Sequence, residues 1–269
     1  VAEPFWDHFV LTTVDASNVF YPDGQVWEED YEYAPFLGSR MHAAGVTCMD
    51  CHDPHSGRTK LSGNDLCLQC HEGQRPGAPV IDKLRHSFHK PGGTGDLCGN
   101  CHMPQTTYMQ RHPRHDHGFT SPDPVLTVEF GIPNACNRCH TDKDAAWAVQ
   151  AAEAWYGPRL ERPSRARTRL IARGRRGDRE VIPALVEMVR GPEAPYWKSA
   201  AMALLEGEVG RPEVAAAMLR QLTNDHPMVR WRAVQALEPL AAGDHREVAE
   251  AVRSRLEDPV RAVRIAAAW

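Results

Sequence analysis

The sequence predicts a mainly α protein in which a loop-rich N-terminal module precedes an α-solenoid of helix pairs. Three observations predict this fold class. Proline and glycine recur throughout residues 48–144, which leaves room only for short helices. Apolar segments then return every 32 to 34 residues in the second half. Residues 1–144 hold 11 Lys and Arg against 19 Asp and Glu, whereas residues 145–269 hold 20 against 16, so we expect two domains with this boundary.

The first 40 residues form an aromatic arm that shows no sustained helical or alternating period. Within the arm, Tyr21-Pro22-Asp23-Gly24 predicts a turn. A short helix is predicted from Ala34 to Ala44, because Gly45 can end it in the left-handed conformation. The N-terminal domain is therefore expected to begin with an extended arm and one short helix.

Four Cys-x-x-Cys-His motifs follow, and together they contain all 8 cysteines of the chain. The motifs are Cys48-Met-Asp-Cys51-His52, Cys67-Leu-Gln-Cys70-His71, Cys98-Gly-Asn-Cys101-His102 and Cys136-Asn-Arg-Cys139-His140. Two thiols at this spacing can each form a thioether to one edge of a porphyrin, and the adjacent histidine can bind its iron. Residues 1–144 are thus predicted to be a tetrahaem cytochrome c domain with four covalent c-type haems. The expected proximal ligands are His52, His71, His102 and His140.

Zinc is the alternative, because the first two cysteine pairs also have the spacing of a zinc ribbon. A ribbon does not require a histidine after each second cysteine, yet all four motifs have one. The chain also holds 14 histidines, far more than a zinc site uses, and no cysteine is left over for a disulfide. The motifs therefore favour haem over zinc and over disulfides.

A six-coordinate haem needs a second axial ligand. Outside the motifs, the first 144 residues contain eight histidines: His8, His42, His55, His86, His89, His112, His115 and His117. Eight histidines for four positions favour bis-His coordination over methionine ligation. His55 lies three residues after His52 and is expected to bind a neighbouring haem, which requires close haem packing. The haem faces should supply much of the apolar core, with the aromatic arm packed on them.

Segments around and between the motifs resemble multihaem c-type cytochromes in which a haem module precedes tetratricopeptide or HEAT-like repeats. The likeness covers about residues 31–157 and includes Met41-His42-Ala-Ala-Gly-Val-Thr-Cys48, Cys51-His-Asp-Pro-His55-Ser-Gly, Asp116-His117-Gly-Phe and Pro133-Asn-Ala-Cys136-Asn-Arg-Cys-His140. The resemblance implies electron transfer in the periplasm or at the cell surface. It also implies four distal ligands: His42, His55, His89 and His117. The further candidates for distal ligands are His8, His86 and His115.

The second half, residues 145–269, begins with a connector helix predicted at about 144–156, with Thr141-Asp142 as its cap and Gly157-Pro158 as its end. Three pairs of apolar segments follow: 181–189 with 197–205, 214–222 with 229–237, and 248–256 with 263–269. Helix pairs at this period predict an α-solenoid. Asp225-His-Pro-Met-Val-Arg and Glu257-Asp-Pro-Val-Arg resemble HEAT repeats more than tetratricopeptide repeats.

Nine arginines lie between Arg159 and Arg179. They are interpreted as a solvated helical face, or as a docking surface for haem propionates or for an acidic redox partner. Haem is attached to such motifs outside the cytoplasm, so the protein is expected to be exported to the periplasm or the cell surface. Export disfavours a nucleic-acid partner, and no apolar run approaches the roughly 20 residues of a transmembrane helix. We also expect the natural polypeptide to extend beyond Val1 or Trp269.

The sequence therefore predicts a non-enzymatic electron-transfer protein whose partners are redox proteins. One alternative is a subunit of an extracellular cytochrome filament, in which the arm and the repeats make a homopolymer and His8 binds a haem of the next subunit. A second alternative is a multihaem oxidoreductase with an open-site haem that acts on small nitrogen compounds. The surplus of histidines argues against an open site.

Overall fold

The computed structural model describes residues 4–27, 32–108 and 111–268, and the chain divides into two compact units. Residues 28–165 form one unit, here called the motif unit because it contains all four motifs. Residues 1–27 and 166–269 form the other, here called the repeat unit. These units are not the predicted halves 1–144 and 145–269, because residues 1–27 of the aromatic arm belong to the repeat unit and the connector helix belongs to the motif unit.

The motif unit is built from short helices and one β-hairpin. Its helices are α1 Tyr33–Leu37, α2 Arg40–Ala43, α3 Cys48–Cys51, α4 Asp65–His71, α5 Lys83–His86, α6 Cys98–His102, α7 Pro124–Phe130, α8 Cys136–Cys139 and α9 Ala145–Tyr156. Strands β1 Gln105–Tyr108 and β2 His112–His115 pair antiparallel, with Gln105 opposite His115. As predicted, a short helix carries each motif, namely α3, α4, α6 and α8. The hairpin and α7 were not predicted.

The helix predicted over Ala34–Ala44 is two helices, α1 and α2. Ser39 separates them, because its side chain accepts a hydrogen bond from the backbone N–H of His42 at 3.1 Å and so starts a new helix. Gly45 follows α2 with φ of 79°, in the left-handed conformation that was predicted for it. The division keeps His42 near the C-terminal end of a separate, one-turn helix.

The cap of α9 also differs from the prediction. Asp144, not Thr141-Asp142, caps this helix by accepting a hydrogen bond from the backbone N–H of Trp147 at 2.8 Å. Gly157 ends the helix with φ of 50°, as expected. The helix therefore presents two aromatic side chains, Trp155 and Tyr156, in its last turn.

The motif unit leaves large apolar side chains uncovered. Val80 and Leu84 are 69% and 70% exposed, and Phe88, Leu97 and Val128 are also exposed. Their apolar surface is available to contact a bound group.

The motif unit ends at Arg165 and the second part of the repeat unit begins at Ala166, so the division falls inside the helix that spans Pro163–Arg175. The repeat unit contains the rest of this helix and all later helices. These helices are α10 Pro163–Arg175, α11 Ile182–Arg190, α12 Pro195–Leu204, α13 Pro212–Gln221, α14 Pro227–Ala241, α15 Arg246–Arg253 and α16 Arg261–Ala268. The last six correspond to the three predicted pairs, so the mainly α fold class with an α-solenoid is confirmed. Fully buried residues such as Leu185, Met202 and Leu237 form the core between them.

The aromatic arm packs on the repeat helices. The Arg175 guanidinium donates hydrogen bonds to the backbone carbonyls of Phe20, at 2.8 Å, and of Val14. Phe20 is fully buried, with its ring edge-to-face against Tyr196. At the other end of the arm, the Asp7 carboxylate accepts a hydrogen bond from the backbone N–H of Arg261 at 2.7 Å. The sequence predicts that the arm packs on haem faces. These contacts of the described arm residues are instead with the repeat helices.

The predicted turn at Tyr21–Gly24 is confirmed by a hydrogen bond from the Gly24 N–H to the Tyr21 carbonyl at 3.0 Å. Gly24 has φ of 94°, a conformation that side chains with a Cβ rarely adopt. A Cβ at this position would also lie 2.9 Å from the indole ring of Trp197. Only glycine fits the turn where the arm meets α12.

Several arginines of the cluster from Arg159 to Arg179 stabilise the fold. In the motif unit, Arg165 forms two hydrogen bonds, at 2.7 and 2.8 Å, with the buried carboxylate of Asp123. In the repeat unit, Arg167 lies 3.9 Å above the Trp197 ring and pairs with Glu193 at 3.3 Å. Because these guanidinium groups have intramolecular partners, the cluster is not a uniform solvated face.

Candidate functional site

The first motif is held by a capped single turn of helix. The Asp50 side chain accepts hydrogen bonds from the backbone and the side chain of Thr47, at 2.7 and 2.9 Å, and so fixes the start of α3. Residues three positions apart lie on one face of a helix, so Cys48 and Cys51 project to the same side. His52 follows directly, with its backbone N–H bonded to the Cys48 carbonyl at 2.8 Å.

Asn64 joins the second and third motifs. Its side-chain oxygen accepts a hydrogen bond from the backbone N–H of Cys98 at 2.8 Å, and its side-chain nitrogen donates to the carbonyl of Asp96 at 2.8 Å. Asn64 immediately precedes α4, which carries Cys67 and Cys70. One polar side chain therefore fixes the start of α6 beside α4.

The thiols of the second and third motifs are also in contact. Cys67 and Cys98 share a hydrogen bond, which raises the pKa of Cys67 and lowers the pKa of Cys98 to about 7. These pKa values belong to the free thiols, because a thioether carries no proton. The hydrogen bond shows that the two attachment sites are direct neighbours.

The other consecutive motifs are near one another as well. Burial, and then the charges of Asp50 and of Cys70 in the second motif, raise the pKa of Cys51. Burial, and then the charges of Cys136 and Cys139 in the fourth motif, raise the pKa of Cys101 to about 11. The thiols of these consecutive motifs are therefore close enough to interact electrostatically.

Six histidines of the motif unit have the same tautomer. The Nδ1 atom of each lies 2.6 to 3.0 Å from a backbone carbonyl oxygen; these histidines are His52, His71, His89, His102, His115 and His117. A carbonyl oxygen can only accept, so Nδ1 carries the proton and donates it. The lone pair of Nε2 is then available to a metal, as in metal sites whose histidines donate the other N–H to the backbone.

Three motif histidines each face a histidine from outside the motifs. The ring centroids are 6.3 Å apart for His52 and His117. The distance is 5.8 Å for His102 and His86, and 6.2 Å for His140 and His89. In each pair the ring planes are inclined by no more than 35°.

Burial keeps several of these imidazoles neutral. It lowers the pKa of His102, although a hydrogen bond to the Thr120 carbonyl acts in the opposite direction. Burial likewise lowers the pKa of His117, and it lowers the pKa of His86 together with the positive charges of Arg159 and Arg162. A neutral imidazole is the form that binds a metal.

His71 has the same tautomer, but no ring contact of the residues in 4–27, 32–108 and 111–268 joins it to a second imidazole. Of the four histidines that the resemblance implied, the pairs contain His89 and His117. His42 instead packs its ring against Phe36 at 5.4 Å, and His55 is exposed.

The three further candidates for distal ligands lie in different surroundings. His86, named only as a further candidate, belongs to a pair. His115 is exposed at the end of β2, with its Nδ1 bonded to the Met103 carbonyl at 2.7 Å. His8 is exposed in the repeat unit, which contains no Cys-x-x-Cys-His motif.

Sequence reasoning missed the aromatic side chains that support these histidines. The Trp147 ring lies 4.8 Å from His140. Trp155 contacts His89 edge-to-face at 5.6 Å, and the Tyr156 hydroxyl donates to the His86 carbonyl at 2.7 Å. The signal in the sequence is the aromatic content of α9, directly after the fourth motif.

Two family models match parts of the chain: one described as a doubled CXXCH motif matches residues 41–76, and one described as HEAT repeats matches residues 182–269. The chain contains a doubled CXXCH module followed by HEAT repeats. This module includes α2, α3 and α4, and it indicates covalent attachment of c-type haem at the first motif pair. The HEAT repeats span α11 to α16, as the periodicity predicted. No curated protein and no solved structure matches the chain.

The described residues include no helix that is long and apolar enough to cross a membrane.

Proposed function

We propose that this protein is a tetrahaem c-type cytochrome that transfers electrons along its four haems. The observation that carries the proposal is the set of three imidazole pairs, each of which combines a motif histidine with a histidine from elsewhere in the chain. The doubled CXXCH module supports covalent haem at the first two motifs, and the same five-residue motif recurs at Cys98 and Cys136. The porphyrin supplies four nitrogens, so each iron needs two further ligands from the chain.

The dimensions of the pairs fit an iron between two imidazoles. With metal–nitrogen bonds of about 2 Å on each side, two axial imidazoles have centroids about 6 Å apart. The observed values are 5.8, 6.2 and 6.3 Å. Simple ring packing can give similar distances, but it does not require one motif histidine in every pair. It also does not require that at least one ring of each pair has an Nδ1 hydrogen bond that directs Nε2 outward, as His52, His117, His102 and His89 have. We therefore assign His117, His86 and His89 as distal ligands.

For the haem on His71 we propose His55 as the distal ligand. His55 follows the first motif by three residues, and the Cys51 thiol of that motif interacts with Cys70 of the second. The segment that carries His55 is thus adjacent to the second attachment site. This assignment retains the prediction that His55 binds a neighbouring haem, and it leaves His42 outside the set of four.

Bound haem supplies a reversible one-electron couple at its iron. The residues of the chain set the order of the four centres, since consecutive motifs are neighbours in space. The exposed apolar side chains around Val80, Leu84 and Leu97 would cover the haem faces and exclude water. Arg159 and Arg162 add positive charge near His86, where they can balance the propionates of the third haem.

We further propose that the protein acts outside the cytoplasm, in the periplasm or at the cell surface, with redox proteins as partners and the HEAT repeats as their docking scaffold. We favour this carrier over a filament joined through His8, because the arm around His8 packs on repeat helices of its own chain through Asp7, Phe20 and Arg175. We favour it over an enzyme because four distal histidines leave no open iron.

The proposal is tested by producing the exported protein with its haems attached and measuring its haem content and spin state. Four haems per chain, all low spin and unchanged by carbon monoxide or nitrite, are expected. A carbon monoxide-reactive fraction in the wild-type protein would instead support the enzyme. Fewer than four haems, or zinc bound at the cysteines, would overturn the proposal.

A further inference from the structure

His86 and His89 lie only three residues apart, yet they face different motifs. His86 pairs with His102 of the third motif, and His89 pairs with His140 of the fourth. One short segment therefore contributes to two sites. The backbone must turn sharply between the two histidines, because their rings point to different partners.

Phe88 makes this turn. Helix α5 ends at His86, and Phe88 has φ of 56°, which is uncommon for an aromatic residue. A conformation of this kind persists only where surrounding contacts impose it. The next residue, His89, donates from its Nδ1 to the Ser87 carbonyl at 2.6 Å, which fixes its ring on the far side of the turn.

The contacts that impose the turn come from the last two residues of α9. The Phe88 ring stacks on Trp155, with centroids 5.2 Å apart and planes inclined by 8°. The His89 ring meets the same indole edge-to-face at 5.6 Å. Tyr156 packs edge-to-face on Phe88 at 5.6 Å, and its hydroxyl donates to the His86 carbonyl at 2.7 Å.

From this arrangement we infer that Trp155 and Tyr156 are positioning residues that set the axial ligands of the third and fourth haems together. The inference rests on the proposed bis-His coordination of these haems. Trp155 acts on His89 directly and on His86 through Phe88, whereas Tyr156 acts on His86 directly and on His89 through Phe88. A change at either residue therefore alters two haems at once, and it leaves the first and second haems as they are.

Trp147 provides the matched control on the same helix. Its ring contacts His140 at 4.8 Å, and among the residues that the structure describes it has no ring contact with the segment from His86 to His89. The substitution Trp147→Leu should alter only the fourth haem, whereas Trp155→Leu should alter the third and the fourth. Because both variants remove a tryptophan from α9, a general loss of helix stability would affect them alike.

The experiment is low-temperature electron paramagnetic resonance of the oxidised holoprotein. His86→Ala and His89→Ala first identify the two signals, because each variant converts one low-spin haem to high spin. Trp155→Leu and Tyr156→Leu are then expected to shift both identified signals and to leave the other two in place, whereas Tyr156→Phe, which loses only the hydroxyl bonded to the His86 carbonyl, should shift the third-haem signal alone. Trp155→Phe, which keeps a ring against Phe88, should move both signals back toward the wild-type positions.

Tyr156→Phe removes a single hydroxyl and should not prevent folding, so the hydrogen bond to His86 is tested without a large substitution. A shift of only one signal, or of neither, in both Trp155→Leu and Tyr156→Leu would overturn the inference, as would an unshifted third-haem signal in Tyr156→Phe. If the wild-type protein showed no low-spin signal that depends on His86 or His89, the proposed coordination itself would be wrong. The wild-type spectrum and the histidine variants therefore separate these two failures.

Discussion

The imidazole rings of His52 and His117 lie 6.3 Å apart, although 65 positions separate these residues in the sequence. His52 is fixed by its hydrogen bond to the Gly57 carbonyl, and His117 by its hydrogen bond to the carbonyl of His115. The Nε2 lone pair of each ring would therefore be available to the iron of a haem attached at the first motif. Similar ring distances recur at His102 with His86 and at His140 with His89, and in these pairs His102 and His89 carry the Nδ1 hydrogen bond.

The substitution His117→Ala is expected to convert one of four haems from low spin to high spin, because the first iron loses its sixth ligand. Haem content should remain four per chain, since Cys48, Cys51 and His52 are unchanged. His112→Ala is the control: His112 is exposed on the neighbouring strand β2 and belongs to none of the three pairs. A His117→Ala protein with four low-spin haems would contradict the pairing.

The substitution His55→Ala is expected to produce one high-spin haem at the second site, whereas His42→Ala should leave all four haems low spin. The reason is that His55 closely follows the first motif, whose Cys51 thiol interacts with Cys70 of the second, whereas the His42 ring packs on Phe36. Spin state by magnetic circular dichroism would measure the difference. The opposite result would make His42 the ligand, as the resemblance implied.

The substitution Gly24→Ala should destabilise the repeat unit by about 1 to 3 kcal/mol, because the new Cβ meets the Trp197 ring and the backbone has positive φ. The thermal transition of the helices by far-UV circular dichroism measures this loss. Gly207→Ala is the control, since an added Cβ there meets nothing within 4 Å and its φ is not positive. Equal stability of the two variants would show that the arm does not contribute.

The substitution Arg230→Ala should cost about 3 to 5 kcal/mol, because it leaves the buried Asp258 carboxylate without its partner. The two side chains now form hydrogen bonds of 2.7 and 2.9 Å. Arg246→Ala is the control, since its exposed pair with Glu250 should contribute less than about 0.5 kcal/mol. Urea denaturation curves compare the two variants, and similar losses would contradict the role given to burial.

The Arg230–Asp258 pair also gives the repeat unit a pH dependence. Burial alone would raise the pKa of Asp258, but hydrogen bonds from Arg230 and the Val260 N–H outweigh burial and lower it. Because the folded pKa is below the unfolded value of about 3.9, the stabilisation is present above that pH and is lost as pH falls toward the folded pKa. In Asp258→Asn this part of the acid transition should disappear, and an unchanged acid profile would argue against the linkage.

The sequence predicted the elements whose signal is local. Each motif helix and each HEAT helix pair follows from residue spacing, so the helix that begins at Cys48 and helix α11 could be predicted without a structure. The packing of the arm on the repeat helices could not be predicted from the sequence. The contacts of Arg175 with Phe20 and Val14 link residues more than 150 positions apart. In the sequence, Arg175 is one of nine similar arginines.

The histidine pairs show the same limit. Composition indicated enough histidines for bis-His coordination, but the choice among them depends on tertiary contacts. The resemblance favours His42 over His86 as a distal ligand. The features that favour His86 are tertiary: the hydrogen bond from Tyr156 to its carbonyl and the turn at Phe88. Such contacts leave no local pattern, because Tyr156 is 70 positions away in the chain.

The proposed cytochrome holds four haems, each between two histidines. Electron paramagnetic resonance of the oxidised protein, integrated against its haem content, measures this coordination in one experiment. Four low-spin haems per chain and no high-spin signal are expected. A stoichiometric high-spin signal in the wild-type protein would show that at least one iron lacks its second histidine, and the proposed coordination would then be wrong.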